Sequence, residues 1–420
     1  MTALKVFLHN PNGKMLLGRL AYQNGLGHLE LDSNFLSQNI NLSPLHLKHS
    51  NNLQTAPRTP FNGLHGVFAD SLPDGWGLLL MDRRLRQQGI AVHTINPLDR
   101  LAYIGVRAMG ALSYQPDTGE SEIEAGDNLL SLSCLAQDAL EIFKGSTKEI
   151  TTQLHIIGGS PGGARPKATI GLDGEKAIAG ATDLPPGYQH WLVKFPTGNN
   201  AQARSEGAVE YIYALMAQRS SIDFAQTQLI DAGAGNRYFA ARRFDRQFNS
   251  TTGDTNTRVH MHTFAGLVNA DFRVPDADYE LLLKATSHVT KSHQDCCEVL
   301  RRMIFNIISG NRDDHTKNFS FLMSPNGKWR LSPAYDVTFN TGINGHHSMS
   351  VMGHGQAIPK SAIYQVASLI PLSPAKVDKM LAEVIEALSQ WPELARRFDI
   401  PTTLINEIKQ YIEAQIVRLS

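Results

Sequence analysis

Cysteine is scarce in this chain. Three occur in 420 residues, Cys134, Cys296 and Cys297, and none belongs to a C-x-x-C pair. That argues against a disulfide framework or a cysteine-based zinc site and fits a reducing compartment. Net charge is also missing, since 39 basic residues balance 39 acidic ones. No field of one sign draws the whole molecule to nucleic acid or to a membrane, which leaves only local patches. No apolar run approaches the roughly 18 residues of a membrane span. The opening Met-Thr-Ala-Leu-Lys-Val-Phe-Leu has no basic segment followed by an apolar one. The expectation is a cytoplasmic protein with no signal peptide, transmembrane helix or membrane contact. A Walker-type Gly-x4-Gly-Lys-Ser/Thr is absent too, and no internal repeat is visible.

What is present is ordinary for a soluble globular protein: 42% hydrophobic and 19% charged residues. The length is too great for one core and implies two or three domains. The first segment alternates like short strands, Leu4–Leu8 and Met15–Leu20 around an Asn12-Gly13 turn, with His28–Asp32 continuing the pattern. A turn at Ala69–Gly77 feeds a helix over Leu78–Arg86. Asp70, Asp74 and Trp76 there read as structural, because Asp-Gly turns cap helices. A glycine-broken apolar stretch and a strand near Leu112 end this region, and residues 115–127 are acidic and polar, a boundary. A helix is expected over 129–144.

The next segment, Ile156-Ile-Gly-Gly-Ser-Pro-Gly-Gly-Ala-Arg-Pro-Lys167, has four glycines within Gly158–Gly163 and leads into a strand. Such a loop, read as joining strands, can aim backbone amides at phosphate oxygens. Ser160 and Lys167 add a hydroxyl and a cation. A strand His190–Pro196 carries Lys194, and a helix from Val209 carries Glu210 in its first turn. A strand lysine that contacts phosphates and is held by a helix glutamate is a kinase arrangement. Strands at Gln228–Asp231 and Tyr238–Arg246 follow, and the backbone of Arg242 and Phe244 stands where a nucleotide hinge would contact adenine.

Two apolar-periodic helices then deliver Ser309-Gly-Asn-Arg-Asp313-Asp-His-Thr-Lys-Asn318-Phe-Ser320. An Asp is followed five residues later by an Asn, and eighteen residues after that by Asp336, with a hairpin (strand Phe319–Met323, turn Ser324–Gly327, strand Lys328–Ser332) between. This is the layout of a kinase catalytic loop and its metal-binding aspartate. Asp313 would orient the target hydroxyl and take its proton, and Asn318 and Asp336 would hold magnesium through oxygen. His346, His347 and His354 read as loop residues, with no carboxylate or cysteine at ligand spacing. Helices over 374–388 and 402–418 close the chain.

These residues resemble the HipA-type serine/threonine kinase toxins of bacterial toxin–antitoxin systems. The resemblance covers nearly the whole length. It rests on Ser160–Lys167, Leu192-Val-Lys-Phe195, Arg243-Phe-Asp-Arg246, Asn311–Ser320 and Pro333-Ala-Tyr-Asp-Val337, with Leu72-Pro-Asp-Gly-Trp-Gly77 and Gly105–Leu112 in the first domain. It implies an α+β fold, a kinase-like two-lobed core with a β-rich N-terminal domain. The boundaries expected are 1–115 for that domain, 150–250 for an N-lobe and 251–420 for a helical C-lobe. It implies ATP and Mg2+ as cofactors, with ATP contacts from Gly162, Gly163, Ala164, Arg165, Pro166, Lys167, Lys194, Arg242, Phe244, His315, Lys317, Asn318, Tyr335 and Asp336. Glu210 would support Lys194. It implies a protein substrate, in the best-known members an aminoacyl-tRNA synthetase, and self-phosphorylation at Ser160. A separate helix-turn-helix antitoxin resembling HipB is the expected partner, with DNA reached only through it. Arg242 stands where the family often has Glu. A small-molecule kinase and a DNA-bound co-repressor are the rival readings.

Overall fold

The computed structural model describes residues 3–119, 129–146, 150–159, 162–233, 235–249, 254 and 256–419. Its strands include β1 Ala3–Asn10, β2 Gly13–Gln23, β3 Leu26–Leu31, β4 Gln54–Thr55, β5 Leu112–Gln115, β6 Lys167–Asp173, β7 Lys176–Ala179, β8 Gln189–Lys194, β9 Thr227–Asp231 and β10 Arg237–Arg242. The chain packs as two compact units, Met1–Gly198 with Asp231–His262 and Leu322–Lys328, and Asn199–Ile230 with Thr263–Phe321 and Trp329–Ser420.

The first unit begins with an antiparallel sheet in the order β4-β3-β2-β1-β5. Period-2 alternation sets its register: Leu4 faces Leu20, Leu20 faces Leu29 and Val6 faces Tyr114. These side chains are buried on one face. Helices α1 Ser33–Ser37, α2 Gly66–Ala69, α3 Gly75–Gln87, α4 Pro97–Ile104, α5 Leu132–Phe143 and α6 Thr152–Gly158 follow. Helix α4 starts at a capping box, Asn96 with Asp99, and has Pro97 in its first turn. The glycine-rich loop therefore follows a helix, α6, rather than a strand. Thr151 caps that helix on the Leu154 amide, and Leu154, His155, Ile156 and Ile157 are buried on it.

A second antiparallel array, β7-β6-β8-β10, lies in the same unit. A buried ion cluster joins it to the first sheet's region. Asp245 accepts from Arg243 Nη2 at 2.6 Å, from Arg246 Nη1 at 2.7 Å and from the Gly110 amide at 2.7 Å. Burial alone would raise the Asp245 pKa, but the two guanidiniums overcome it and hold the carboxyl well below the usual range. This is what the Arg-Phe-Asp-Arg stretch does.

Buried histidines, His65, His190 and His260 among them, make the first unit acid-sensitive, and burial takes His190 down to about 3. Burial lowers His65 to about 4 and, with His262 beside it, lowers His260 to about 3. Below the ordinary value of 6.5 the unfolded chain takes up protons that the folded one refuses. Stability is therefore complete above pH 6.5 and is lost as pH falls towards these values, by up to about 1.4 kcal/mol per pH unit per histidine. Urea midpoints at pH 7 and pH 5 should differ accordingly. A flat profile between them contradicts the assignment.

The second unit is mostly helical: α7 Ala201–Arg219, α8 Phe264–Val268, α9 Tyr279–Thr290, α10 His293–Ser309, α11 Lys360–Ala367, α12 Pro374–Ser389, α13 Trp391–Arg397 and α14 Thr402–Leu419. Helix α7 starts at Asn200, whose side chain accepts the Ala203 amide. Glu210 consequently lies mid-helix and fully buried, not in the first turn. The polar opening Ala201–Glu206 hides that start from a hydrophobic-period reading. Among the described residues, no helix is long and apolar enough to cross a membrane.

Candidate active site

Helix α10 stops at Gly310, whose φ is 75°, and a Cβ there would lie 2.7 Å from Tyr411 and 2.9 Å from Phe339. Glycine is demanded both by the left-handed turn and by the close ring packing. The chain that emerges is pinned by hydrogen bonds. The Asn311 side chain donates to Asn306 Oδ1 at 3.0 Å, and Asn306 Nδ2 donates to the Tyr279 hydroxyl at 2.9 Å. Asn340 N–H donates to Gly310 O at 2.9 Å and Ser348 Oγ donates to Arg312 O at 3.0 Å.

The two consecutive aspartates then part. Asp313 is 53% exposed at its side chain, whereas Asp314 is 0% exposed. Asp314 accepts from Tyr279 OH, from His347 Nδ1 and from the Ser348 amide, each at 2.8 Å. Burial, with the Asp314 charge, raises the Tyr279 pKa well above its ordinary value, so the phenol keeps the proton it donates. Asp314, Tyr279 and His347 escaped the sequence reading, which had His347 as a loop residue. It is buried, and its partner is 33 positions away (347 − 314). The only local signal was the Asp-Asp dipeptide, whose members an extended backbone turns to opposite sides.

Asn318 Nδ2 donates to Asp313 O at 2.7 Å, so the amide nitrogen is spoken for and the amide oxygen is the atom left to coordinate. Tyr335 OH donates to Lys317 O at 2.7 Å and accepts from Ser320 Oγ at 2.6 Å, tying the residue before Asp336 to the loop. Asp336 sits at φ 56°, a left-handed conformation that is uncommon outside glycine. Asn318, Tyr335 and Asp336 line one cleft of this unit with Asn311 and Asp314. Two hard oxygen donors, an amide and a carboxylate, fit magnesium. His315 Nε2 is 4.0 Å from Asp313 Oδ1, and the Phe272 ring lies 5.6 Å from the His315 ring with Lys317 Nζ 4.4 Å from its centre. The returning hairpin closes through Gly327 N–H to Ser324 O at 2.9 Å and Ser332 N–H to Ser320 O at 2.8 Å.

In the first unit, β6 and β8 pair so that Lys167 stands directly opposite Lys194. Both are buried, at 3% and 4% exposure. Directly paired residues project to the same face, and like charges there are unfavourable unless anions attend them. Lys167 Nζ donates to Gly162 O at 2.7 Å, and Lys194 Nζ lies 5.6 Å from the Phe239 ring centre. Arg165 Nε donates to Phe195 O at 3.1 Å, and Phe195 N–H to Pro166 O at 2.9 Å, so the loop's exit is bound to β8. Gly163 has φ 91° and its amide donates to Asp74. Asp74 does stand at the head of α3, yet its side chain makes no cap hydrogen bond there. Ala164 and Pro166 complete the loop. Arg242, in β10, pairs with Trp191 and lies 5.4 Å from the Phe248 ring, and Phe244 two residues on is half-buried. Ser160 lies outside the described residues.

Two family descriptions match the sequence: the HipA N-terminal domain over residues 4–115 and the HipA-like C-terminal domain over residues 159–391. The chain belongs to the HipA family. Its fold agrees with a solved HipA from Shewanella oneidensis MR-1, determined with HipB and its operator DNA, at a TM-score of 0.68 and 15% identity over 99% of this chain and 96% of that one. The expected HipA fold class is thereby borne out, mixed α and β with sheets in the N-terminal part and helices in the C-terminal part. A Sinorhizobium fredii protein provisionally named kinase Y4dM is 28% identical over 162 residues, 35% of this chain. That match spans 36% of the curated relative's own length.

Proposed function

We propose that this HipA-family chain is an ATP- and Mg2+-dependent serine/threonine protein kinase of the toxin type, acting in the cytoplasm on a protein substrate. The observation that carries the reading is the buried Lys167–Lys194 pair beside the glycine-rich loop. Two ammonium groups on one face of a sheet suit the phosphates of a nucleotide. Asp313, Asn318 and Asp336 at kinase spacing supply the other half of the chemistry, and the partial likeness to Y4dM supports the same class.

In this reading Lys194 and Lys167 hold the phosphates and Glu210 steadies Lys194. Residues 162–167 cover the phosphates, and the backbone of Arg242 and Phe244 meets adenine. Asp313 accepts the proton of a serine or threonine hydroxyl as that oxygen bonds to the γ-phosphorus. The bond from that phosphorus to the bridging β,γ oxygen breaks, and ADP departs with the electron pair. Asn318 and Asp336 would hold magnesium, which neutralises charge on the phosphates when bound. Tyr335 fixes the approach of Asp336, while His315 and Lys317 stand by the loop to meet the nucleotide. Ser160 is the proposed self-phosphorylation site, where about −1.5 to −2 charges would repel nucleotide phosphates. Residues 1–115, 150–250 and 251–420 serve as N-terminal domain, N-lobe and C-lobe. A separate HipB-like antitoxin is the proposed partner, carrying the contact with DNA, in keeping with the assembly of the Shewanella protein.

Calorimetric titration with ATP tests the metal assignment. Affinity in the wild type should rise at least tenfold on adding Mg2+, and Asp336→Ala should lose that gain. A magnesium effect that survives Asp336→Ala contradicts the role given to this carboxylate.

A further inference from the structure

The N-terminal module reaches into the glycine-rich loop through one short turn, Asp74-Gly75-Trp76. Gly163 is held at both ends of its residue: its amide donates to the Asp74 carboxylate, and its carbonyl accepts the Trp76 amide at 2.9 Å. The Trp76 indole N–H then donates to Lys167 O at 3.0 Å, at the start of β6. Close approach is enforced by missing side chains. A Cβ on Gly75 would lie 2.6 Å from Gly163 O, and Gly75 itself has φ 43°. A Cβ on Gly162 would lie 3.0 Å from Asp74 Oδ1, and one on Gly158 would lie 2.7 Å from Leu80 and 3.1 Å from the Trp76 indole nitrogen. Asp74 is 6% exposed and Trp76 is 1% exposed. A buried carboxylate that leaves its own helix N-terminus uncapped in order to take an amide 89 positions away (163 − 74) is spent on that loop.

We infer that Asp74 is a positioning residue for the nucleotide. It acts through Gly163, fixing the peptide geometry of the loop so that the remaining loop amides and Lys167 are presented to phosphate. The inference rests on the kinase reading above for its nucleotide, and on the Asp74–Gly163 contact for its mechanism. The reason to expect an effect on binding rather than on chemistry is that Asp74 acts on the loop through the backbone amide of Gly163, and the part proposed for that loop is to hold the phosphates rather than to move a proton. A loop freed of its anchor must be ordered again each time a nucleotide binds.

Two readouts on the full chain test it. The first, hydrogen exchange of the peptide spanning Gly162–Ala164, needs no activity: exchange should quicken about tenfold or more in Asp74→Ala, as a charge-assisted hydrogen bond is lost. The second is kinetic. KM for ATP in the presence of Mg2+ should rise about tenfold while kcat stays within about twofold, the signature of lost ground-state binding. Asp74→Asn keeps an acceptor oxygen of the same shape and should recover most of both, which separates anchoring from a general loss of fold. Unchanged loop exchange in Asp74→Ala overturns the inference. So does faster exchange with an unaltered KM, which would leave a contact of no use to the nucleotide. If the wild type binds no nucleotide at all, the kinase reading fails and the nucleotide role with it, and loop exchange alone then judges the anchor.

Discussion

Asp313→Ala should reduce phosphoryl transfer by about 10³-fold or more, within the range attributed to a lost general base, while leaving Mg-ATP affinity within about threefold, since no phosphate contact is removed. The argument starts from exposure. Asp313 presents its carboxylate to solvent beside Asn318 and His315, where an incoming hydroxyl can reach it. Its carbonyl, not its carboxylate, receives the Asn318 amide, so truncation at Cβ leaves that hydrogen bond in place. Because the side chain is exposed, folding stability should move by no more than about 0.5 kcal/mol. Single-turnover assays with labelled ATP and calorimetry on the same preparation check both halves. Transfer at the wild-type rate contradicts the role of Asp313.

The neighbouring residue should behave in the opposite way. Asp314→Ala should destabilise the protein by about 3–5 kcal/mol, as expected when one partner of a buried, charged network is removed. Three donors lose their acceptor at once: the Tyr279 hydroxyl, the His347 ring and the Ser348 amide. The Tyr279 hydroxyl also receives Asn306, which in turn receives Asn311, so the disturbance runs into the residues that hold the Asn311–Asn318 loop. Asp314→Asn retains one acceptor oxygen but turns an amide donor towards existing donors, and should fall between the two. Urea unfolding of the wild type, Asp313→Ala and Asp314→Ala gives a direct contrast between adjacent positions. Equal midpoints for all three contradict the account of Asp314 as the loop's internal anchor.

These two residues also mark what was readable in the sequence. The spacing of Asp313, Asn318 and Asp336 was legible because a single loop and hairpin connect them, and local turn chemistry sets such distances. The strands of the first sheet were legible because period-2 alternation survives where one face is buried. The face-to-face position of Lys167 and Lys194 was not, because it depends on the register of β6 against β8. The Asp314–His347 pair was hidden for a similar reason, as nothing local at either position announces the other. Asp74 was misread as a side-chain cap because Asp-Gly before a helix is a common cap sequence, while its partner amide lies far along the chain. Helix α7 was found but shortened, since its capped first turns are polar. Helix α6 was missed altogether, since four buried residues next to a run of glycines look like a strand entering a loop.

Incubation of the purified chain with γ-labelled ATP and Mg2+, followed by mass spectrometry of the intact protein and its peptides, is the most direct test of the phosphotransferase reading. The account predicts a magnesium-dependent phosphate on Ser160, absent when Asp313 is replaced by alanine. An unmodified chain that still binds Mg-ATP and passes its phosphate to a sugar or an amino alcohol would contradict a protein kinase and establish a small-molecule kinase in its place.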